Sequence, residues 1–283
     1  MIDEALEALL GSRVVERRPM LGGDIHEAFA VRLADRREVF LKTSADAPTD
    51  MFRKEALGLE FLRRTGAIRI PTVLGVSESP PFLALELVRR CAATPSYDET
   101  FGRALATMHA HRAPSFGLDH DNYIGRLPQP NAPTADWPSF YAERRLLPQI
   151  EKASSLLGKE VRRTLDRVVE RLPSLVGPSE PPSCLHGDLW SGNVLSDEHG
   201  HPVLIDPAVY GGHREVDLAM LRLFGSPGEV FFAAYDEVLP RAPGHEAREP
   251  LYQLYPLLVH VNLFGRGYVG RLEDAAHAAL GAG

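Results

Sequence analysis

The chain has 283 residues, enough for two lobes, and its composition of 44% hydrophobic and 24% charged residues excludes a disordered or fibrous protein. A formal net charge of −7 disfavours broad binding to nucleic acid or to an anionic membrane, since such binding needs a basic face. The longest apolar runs are too short to span a bilayer, and the acidic N-terminus lacks the basic region of a secretory signal. Cys91 and Cys184 fit no metal-binding spacing, so we expect reduced thiols in a cytoplasmic protein.

The first part of the chain is predicted to be β-rich with one inserted helix. A short helix over residues 3–10 precedes three β-prone runs in residues 13–43, which turn signals separate into an antiparallel meander. Residues 50–65 have helical spacing, with Asp50 as the candidate N-cap. The next segment, IRIPTVLGVSESPPFLALELV, predicts two more strands, and the apolar run FLALELV is typical of a buried strand.

After residue 90 the chain is predicted to be mainly helical. The segment SYDETFGRALATMHAH and residues 139–172 have helical spacing, and RLPQPNAPTADWP is predicted to be a loop. Strand, loop, strand and helix follow, and the remainder is helical with a break at PRAPGHEAREP. This order predicts an α+β, bilobal chain with a cleft between an N-terminal lobe, residues 1–88, and a C-terminal lobe, residues 89–283.

The segment LHGDLWSGNVL gathers polar side chains directly before an apolar pair. Asn193 precedes that pair and Asp206 ends the next apolar run, so a hairpin between the two runs would bring both side chains to the same end. Two oxygen ligands there suit Mg²⁺, which leaves its other positions to water and phosphate. Asp188, on the preceding loop, could orient a hydroxyl and accept its proton in phosphoryl transfer. The alternative is that all three side chains form Asx turns at strand ends.

An Asp, an Asn five residues later and an Asp closing the next strand form the pattern of a kinase catalytic loop and its metal-binding Asp. Gly187 stands where protein kinases have Arg, and IDP replaces DFG, which points away from protein kinases. Lys42, at the end of REVFLK, is the candidate for holding the ATP phosphates, and Glu55 on the following helix could pair with it. A solvated lysine and a surface acid are the alternatives.

Further ATP contacts are predicted from position in the N-terminal lobe. Gly22 and Gly23, in LGGDIHEAF, stand where a phosphate-covering loop is expected, and glycine permits close backbone approach. The segment LALELV stands where the lobes connect, and its backbone groups around Glu86, Leu87 and Val88 would bind adenine.

Several motifs together resemble the fructosamine kinase family, also called ketosamine kinases, within the protein-kinase-like set that includes aminoglycoside and choline phosphotransferases. They are HGDLWSGN, FGLDHDNYIGRLPQPN, DWPSFYAERRLLPQ, IDPAVYGGHREVDLAM and LVHVNLFG, and Trp-Ser-Gly after the Asp is the most specific piece. The resemblance implies a protein-kinase-like fold and an ATP- and Mg²⁺-dependent kinase that phosphorylates a sugar hydroxyl of a ketosamine. That ketosamine would be a small molecule or a glycated protein lysine, and ribulosamines or erythrulosamines are favoured over fructosamines.

The resemblance also implies roles for individual residues. Asp188 matches the catalytic base, Asn193 and Asp206 match the metal ligands, and Lys42 and Glu55 match the ion pair. Two further residues are predicted to be structural, with hydrogen bonds that hold the catalytic loop: His186 and Asp217. Trp190 is either a core aromatic or a wall against the sugar. Three residues are candidates for substrate contact, with helical packing as the alternative: Asn122, His260 and Asn262.

Two other functions stay open from the sequence. The first keeps the chemistry and changes the acceptor to an aminoglycoside or a choline-type alcohol. The second is a non-catalytic pseudokinase, which would require a missing catalytic group, whereas Lys42, Asp188, Asn193 and Asp206 are all present.

Overall fold

The computed structural model describes residues 1–20, 27–225 and 227–281. Its N-terminal part is an antiparallel sheet with a helix on each face. The elements are α1 (Ile2–Leu10), β1 (Val14–Pro19), β2 (Glu27–Leu33), β3 (Glu38–Thr43), α2 (Met51–Arg63), β4 (Val73–Glu78) and β5 (Pro81–Glu86). The strands are hydrogen-bonded in the order β1-β2-β3-β5-β4, so β3 and β5 are flanked on both sides.

The side chains of β5 alternate between the two faces of the sheet. Phe82 and Ala84 join the apolar cluster that buries Leu6 of α1. Leu83 and Leu85 join the cluster that contains the apolar face of α2. Because both faces are covered, β5 is an almost continuous apolar run, as the sequence predicted.

The larger part is helical, with short strand pairs between the helices. Its helices are α3 (Tyr97–Ala110), α4 (Trp137–Phe140), α5 (Leu147–Lys152), α6 (Lys159–Leu175), α7 (Glu215–Leu223), α8 (Glu229–Val238), α9 (His245–Phe264) and α10 (Val269–Gly281), and a π-helical stretch, Tyr141–Leu146, joins α4 to α5. The strand pairs are β6 (Asn122–Ile124) with β7 (Leu127–Gln129), β8 (Ser183–Leu185) with β11 (Tyr210–Gly212), and β9 (Val194–Ser196) with β10 (Pro202–Leu204). None of the helices in the described ranges is long and apolar enough to cross a membrane.

One apolar cluster continues from the N-terminal part into the helical part. Leu59 and Leu62 of α2 share it with Phe101 of α3 and with Leu189, which follows Asp188. Helix α2 and the loop that carries the candidate catalytic group therefore share one apolar cluster. The α+β architecture is confirmed, whereas the boundary at residue 88 stays a prediction.

Three local predictions need correction. The segment RLPQPNAPTADWP is not entirely a loop, because it contains β7, which pairs with β6. The break at PRAPGHEAREP is shorter than predicted, since α9 begins at His245 and includes Pro250; burial of Leu251 and Tyr252 stabilises the helix beyond that proline. Asp50 precedes α2, but its carboxylate is bound by Tyr123 and Lys54 rather than by the first N–H groups of the helix.

Candidate active site

The β9–β10 hairpin places Asn193 and Asp206 at the same end, as the sequence predicted. Val194 pairs with Leu204, and the N–H of Ile205 donates to the carbonyl of Asn193 over 3.1 Å. The side chains of Asn193 and Asp206 therefore lie on either side of the last paired residues of the hairpin. Asp206 has φ of 52°, a left-handed conformation that Asp tolerates better than most residues.

Asp188 and Asn193 are joined by one tight turn. A 3-10 turn, Ser191–Asn193, follows Trp190, and it brings the amide of Asn193 back to Asp188. Nδ2 of Asn193 donates to the carbonyl of Asp188 over 2.8 Å and to its carboxylate over 3.1 Å. Both partners are acceptors, so the nitrogen must face them and the amide oxygen is left for a ligand. The five-residue spacing thus lets one side chain orient Asp188 and offer an oxygen ligand.

Lys42 connects the N-terminal sheet to this hairpin. Its Nζ lies 2.9 Å from Oε1 of Glu55 and 3.0 Å from Oδ1 of Asp206. The Lys42 side chain is 9% exposed. Burial opposes its charge, but the carboxylates of Asp206 and Glu55 outweigh burial and raise the pKa of Lys42 above its usual range. The lysine is therefore a fixed cation between α2 and the metal-ligand candidate.

Asp188 is held in a state suited to proton transfer. Burial and the neighbouring charge of Asp206 raise the pKa of Asp188 to about 7, while the hydrogen bond from Asn193 acts in the opposite direction. A base whose pKa lies near neutral pH both accepts and releases a proton readily. The role of Asp188 as the catalytic base stays a prediction, which its raised pKa favours.

Asp217 of α7 holds the loop that carries Asp188 through hydrogen bonds to its backbone. Its carboxylate accepts from the backbone N–H of His186 over 2.8 Å and from that of Gly187 over 2.9 Å. Burial opposes its charge, but the hydrogen bond from His109 and those from the loop outweigh burial and lower the pKa of Asp217. His186 Nε2 donates to the carbonyl of Ile205 over 2.9 Å, so His186 ties the loop to the segment of Asp206. The hydrogen bonds predicted for His186 and Asp217 are present.

Gly187 cannot be replaced by a larger residue without distortion. Its φ is 80°, and a Cβ at this position would overlap the carbonyl oxygen of Ala208. The same carbonyl accepts from Nε2 of Gln129 over 3.0 Å, and the N–H of Ala208 donates to the carbonyl of His186 over 2.8 Å. The segment after Asp206 therefore lies directly against Gly187, which explains the Gly in place of the Arg of protein kinases.

A cavity beside Asp188 is the candidate acceptor site. Its described lining is largely apolar and consists of Ile124, Gly187, Asp188, Val216, Met220, Tyr255, Pro256, Val259 and His260. Nδ1 of His260 lies 2.7 Å from the carbonyl of Pro256, and because a carbonyl only accepts, Nδ1 carries the proton. Burial lowers the pKa of His260, so the ring is neutral and its Nε2 is an acceptor.

The other candidate substrate contacts lie in different surroundings. Asn122 is buried and donates to the carbonyl of Val209 over 2.9 Å, and Asn262 donates to the side chain of Gln149 over 2.8 Å. Neither is among the described lining residues of the cavity beside Asp188, and substrate contact through Asn122 or Asn262 stays a prediction. Trp190 is 38% exposed, which excludes the core alternative for this side chain.

The adenine contacts predicted at Glu86, Leu87 and Val88 stay predictions. The N–H of Glu86 donates to the carbonyl of Thr72, and its carboxylate pairs with Arg69 at 2.5 Å, so these groups of Glu86 are engaged within the protein. Leu87 and Val88 stay predicted adenine contacts. Gly22 and Gly23 lie outside the described residues.

Sequence reasoning missed His109. It lies at the end of α3, and its Nε2 donates to Asp217 over 3.2 Å while Nδ1 accepts from the hydroxyl of Tyr235. Only the full burial of both partners distinguishes His109 from an ordinary polar residue at a helix end, and burial is not visible in the sequence.

The chain is similar to known proteins over most of its length. A family model described as fructosamine kinase matches residues 1–281. A probable ketoamine kinase from Synechocystis is 38% identical over 95% of this chain and 91% of its own length. A chloroplastic protein-ribulosamine 3-kinase from Oryza sativa subsp. japonica is 39% identical over 87% of this chain and 73% of its own length.

A solved structure agrees with these sequence relatives. A protein from Thermobifida fusca, named as a candidate fructosamine-3-kinase, has 44% identity and a TM-score of 0.92, with 99% of this chain and 98% of that chain covered. Choline kinase from Streptococcus pneumoniae, at 17% identity and a TM-score of 0.66, shares the fold alone. The chain therefore belongs to the fructosamine kinase family, which consists of phosphotransferases that act on a sugar hydroxyl.

Proposed function

We propose that this protein transfers the γ-phosphoryl group of ATP to a sugar hydroxyl of a ketosamine, with Asp188 as the base. The observation that carries the proposal is the arrangement of four side chains from separate elements. Lys42 of β3 binds Asp206 after β10, and Asn193 before β9 binds Asp188. A cation for phosphate, two oxygen ligands and a base thus lie together at one end of the hairpin.

The donor set fits Mg²⁺ together with ATP. Among the described residues, no group of three or more His, Cys, Asp or Glu side chains could hold a metal by itself. Asn193 and Asp206 supply two oxygens, which suits Mg²⁺ because this ion commonly takes its remaining ligands from phosphate and water. The metal, when bound, would neutralise charge that develops on the transferred phosphoryl group.

The other steps of the reaction are assigned to individual residues of the chain. Lys42 would hold the ATP phosphates, and Glu55 would fix the direction of the lysine. Asp188 would orient the acceptor hydroxyl and take its proton, and Asn193 would hold the carboxylate in place. Leu87 and Val88 would bind adenine through their backbone groups.

The acceptor cavity supports a ketosamine over an aminoglycoside. Asp188 is the only carboxylate among its described lining residues, and the walls are otherwise apolar apart from Tyr255 and His260. Such a lining would bind a polycationic aminoglycoside poorly, because each buried charge needs a paired opposite charge. Neutral His260 can instead accept from a sugar hydroxyl or an amine N–H. Exposed Trp190 would form a wall against the sugar.

The names of the relatives guide the choice of substrates. The Oryza protein is named for protein-bound ribulosamine, and the Synechocystis protein for ketoamines in general. We therefore propose ribulosamines and erythrulosamines as the first substrates to test, both as free compounds and on glycated lysine. Phosphorylation would make these adducts labile, so the reaction would serve deglycation.

The direct test is ATP consumption with a panel of ribulosamine, erythrulosamine, fructosamine, an aminoglycoside and choline, with and without Mg²⁺. We expect turnover on one or more ketosamines that stops when Mg²⁺ is removed. Turnover on the aminoglycoside or choline alone would contradict the ketosamine assignment. Tight ATP binding without turnover on any acceptor would favour a pseudokinase.

The role of Asp188 is tested by Asp188→Asn, which keeps the shape of the side chain and removes the base. We expect a fall in kcat of roughly 10²- to 10⁴-fold with ATP affinity largely retained. The matched control is Asp119→Asn, because the Asp119 side chain is 90% exposed and should tolerate the change. Near-normal turnover by Asp188→Asn would show that another group accepts the proton.

A further inference from the structure

The start of α2 is fastened to the helical part through Asp50. The hydroxyl of Tyr123, on β6, donates to Oδ1 of Asp50 over 2.7 Å, and Nζ of Lys54 lies 3.2 Å from Oδ2. Nζ of Lys54 also lies 5.5 Å from the centre of the Tyr123 ring. An Asp at this position usually caps its own helix. Here the carboxylate instead joins the helix to a strand of the other part of the molecule.

The hairpin that carries Tyr123 is itself fixed to the active site. Asn122 donates to the carbonyl of Val209, and Gln129 donates to the carbonyl of Ala208 over 3.0 Å. Ile124, next to Tyr123, lines the acceptor cavity. Tyr123 therefore projects from a hairpin that contacts both the acceptor cavity and the segment after Asp206.

A second contact holds α2 further along its length. A Cβ added to Gly58 would lie 3.4 Å from a methyl group of Val209, so the helix backbone packs closely on the same segment. Glu55 lies between this contact and the one at Asp50. Since a helix is rigid over two turns, the two contacts together determine where the Glu55 carboxylate meets Lys42.

We propose that Tyr123 is a positioning residue for phosphoryl transfer: its hydroxyl holds the first turn of α2, and through Glu55 it keeps Lys42 directed at the ATP phosphates from the acceptor side of the site. The inference rests on the proposed function, in which Lys42 binds ATP. The Tyr123 hydroxyl donates to Asp50, whereas Lys42 is held by Glu55 and Asp206. The effect of Tyr123 passes through the position of the helix.

The test is Tyr123→Phe, which removes one hydroxyl and keeps the ring. Loss of one hydrogen bond to a partly exposed carboxylate should weaken ATP affinity roughly two- to tenfold, because a smaller fraction of the protein holds Glu55 in place. Affinity is measured by calorimetric titration of Mg²⁺-ATP in the absence of acceptor. This measurement does not require the ketosamine assignment, so failure of the substrate panel and failure of the Tyr123 inference are distinguishable.

A double-mutant cycle separates positioning from general stability. In a Glu55→Gln background, α2 no longer directs Lys42 through an ion pair. Adding Tyr123→Phe to this background should therefore change ATP affinity by less than about twofold. An equal loss in both backgrounds would overturn the inference, as would wild-type affinity in Tyr123→Phe alone. The control is Tyr141→Phe, whose hydroxyl donates to the carbonyl of Leu251 over 2.9 Å in the helical core. This variant should lower the melting temperature and leave ATP affinity unchanged.

Discussion

Replacement of Gly187 by Ala tests whether close packing behind the catalytic loop controls both stability and turnover. A left-handed conformation costs an alanine about 1–2 kcal/mol relative to glycine. The new Cβ would also overlap the Ala208 carbonyl, so the segment must shift. That shift weakens the hydrogen bonds of Ala208 with His186 and with Gln129, each worth about 1 kcal/mol. We therefore expect a loss of about 3–4 kcal/mol in the free energy of unfolding.

The same shift should reduce activity, because Gly187 adjoins Asp188 and donates to Asp217. A displacement of about 1 Å in a positioned catalytic group costs on the order of 10²-fold in rate. The assays are thermal unfolding, where this loss lowers the melting temperature by roughly 5–7 °C for a chain of 283 residues, and kcat at saturating ATP.

Gly66 supplies the matched control. Its φ is 61°, so alanine meets a similar backbone penalty, but an added Cβ would find no atom within 4 Å among the described residues. Gly66→Ala should therefore lose only about 1–2 kcal/mol and keep its kcat. If Gly187→Ala lost no more stability than Gly66→Ala and retained its turnover, the packing argument would be refuted.

Two further predictions concern titratable groups. Burial raises the pKa of Cys184 to about 11, whereas Cys91 is exposed. A thiol reagent at pH 8 should therefore modify one thiol in the native protein and two after denaturation, as measured by mass spectrometry. Rapid labelling of both thiols in the native protein would contradict this prediction. Burial opposes ionisation of Asp197, but hydrogen bonds from the His201 N–H and from Arg69 outweigh it and lower the pKa to about 2 from an ordinary value of 3.8. The stability that ionised Asp197 contributes is present above pH 3.8 and is lost as the pH falls toward 2. In urea unfolding, the difference in free energy of unfolding between wild type and Asp197→Asn should therefore shrink on acidification. A difference that widens on acidification would contradict this prediction.

The parts of the site that could be predicted depend on short-range patterns. A hairpin between two apolar runs was enough to bring Asn193 and Asp206 together, because the register of paired strands fixes the ends. Lys42 and Glu55 lie on consecutive elements, and a strand followed by a helix packed on it leaves few ways to place them. The sequence order of strands and helices likewise indicated the α+β architecture.

The parts that could not be predicted depend on contacts between distant segments. His109 of α3 and Asp217 of α7 meet although 108 residues separate them along the chain, and no local pattern pairs them. Asn122 carries the polar group expected of a substrate contact, yet its amide is used to fasten a hairpin to Val209. Asp50 has the residue type and position of a helix cap, but tertiary contacts outweigh local preference and direct it to Tyr123.

The left-handed backbone at Asp206 has an evolutionary consequence. Only Gly, Asn and Asp adopt this conformation at low cost, so few substitutions at this position preserve the hairpin end. Asn is one of them, and Asp206→Asn would remove the charge that pairs with Lys42 while preserving the chain path. A gene duplicate could thus lose phosphoryl transfer through one substitution and still fold, so a non-catalytic descendant that retains this architecture lies one step away.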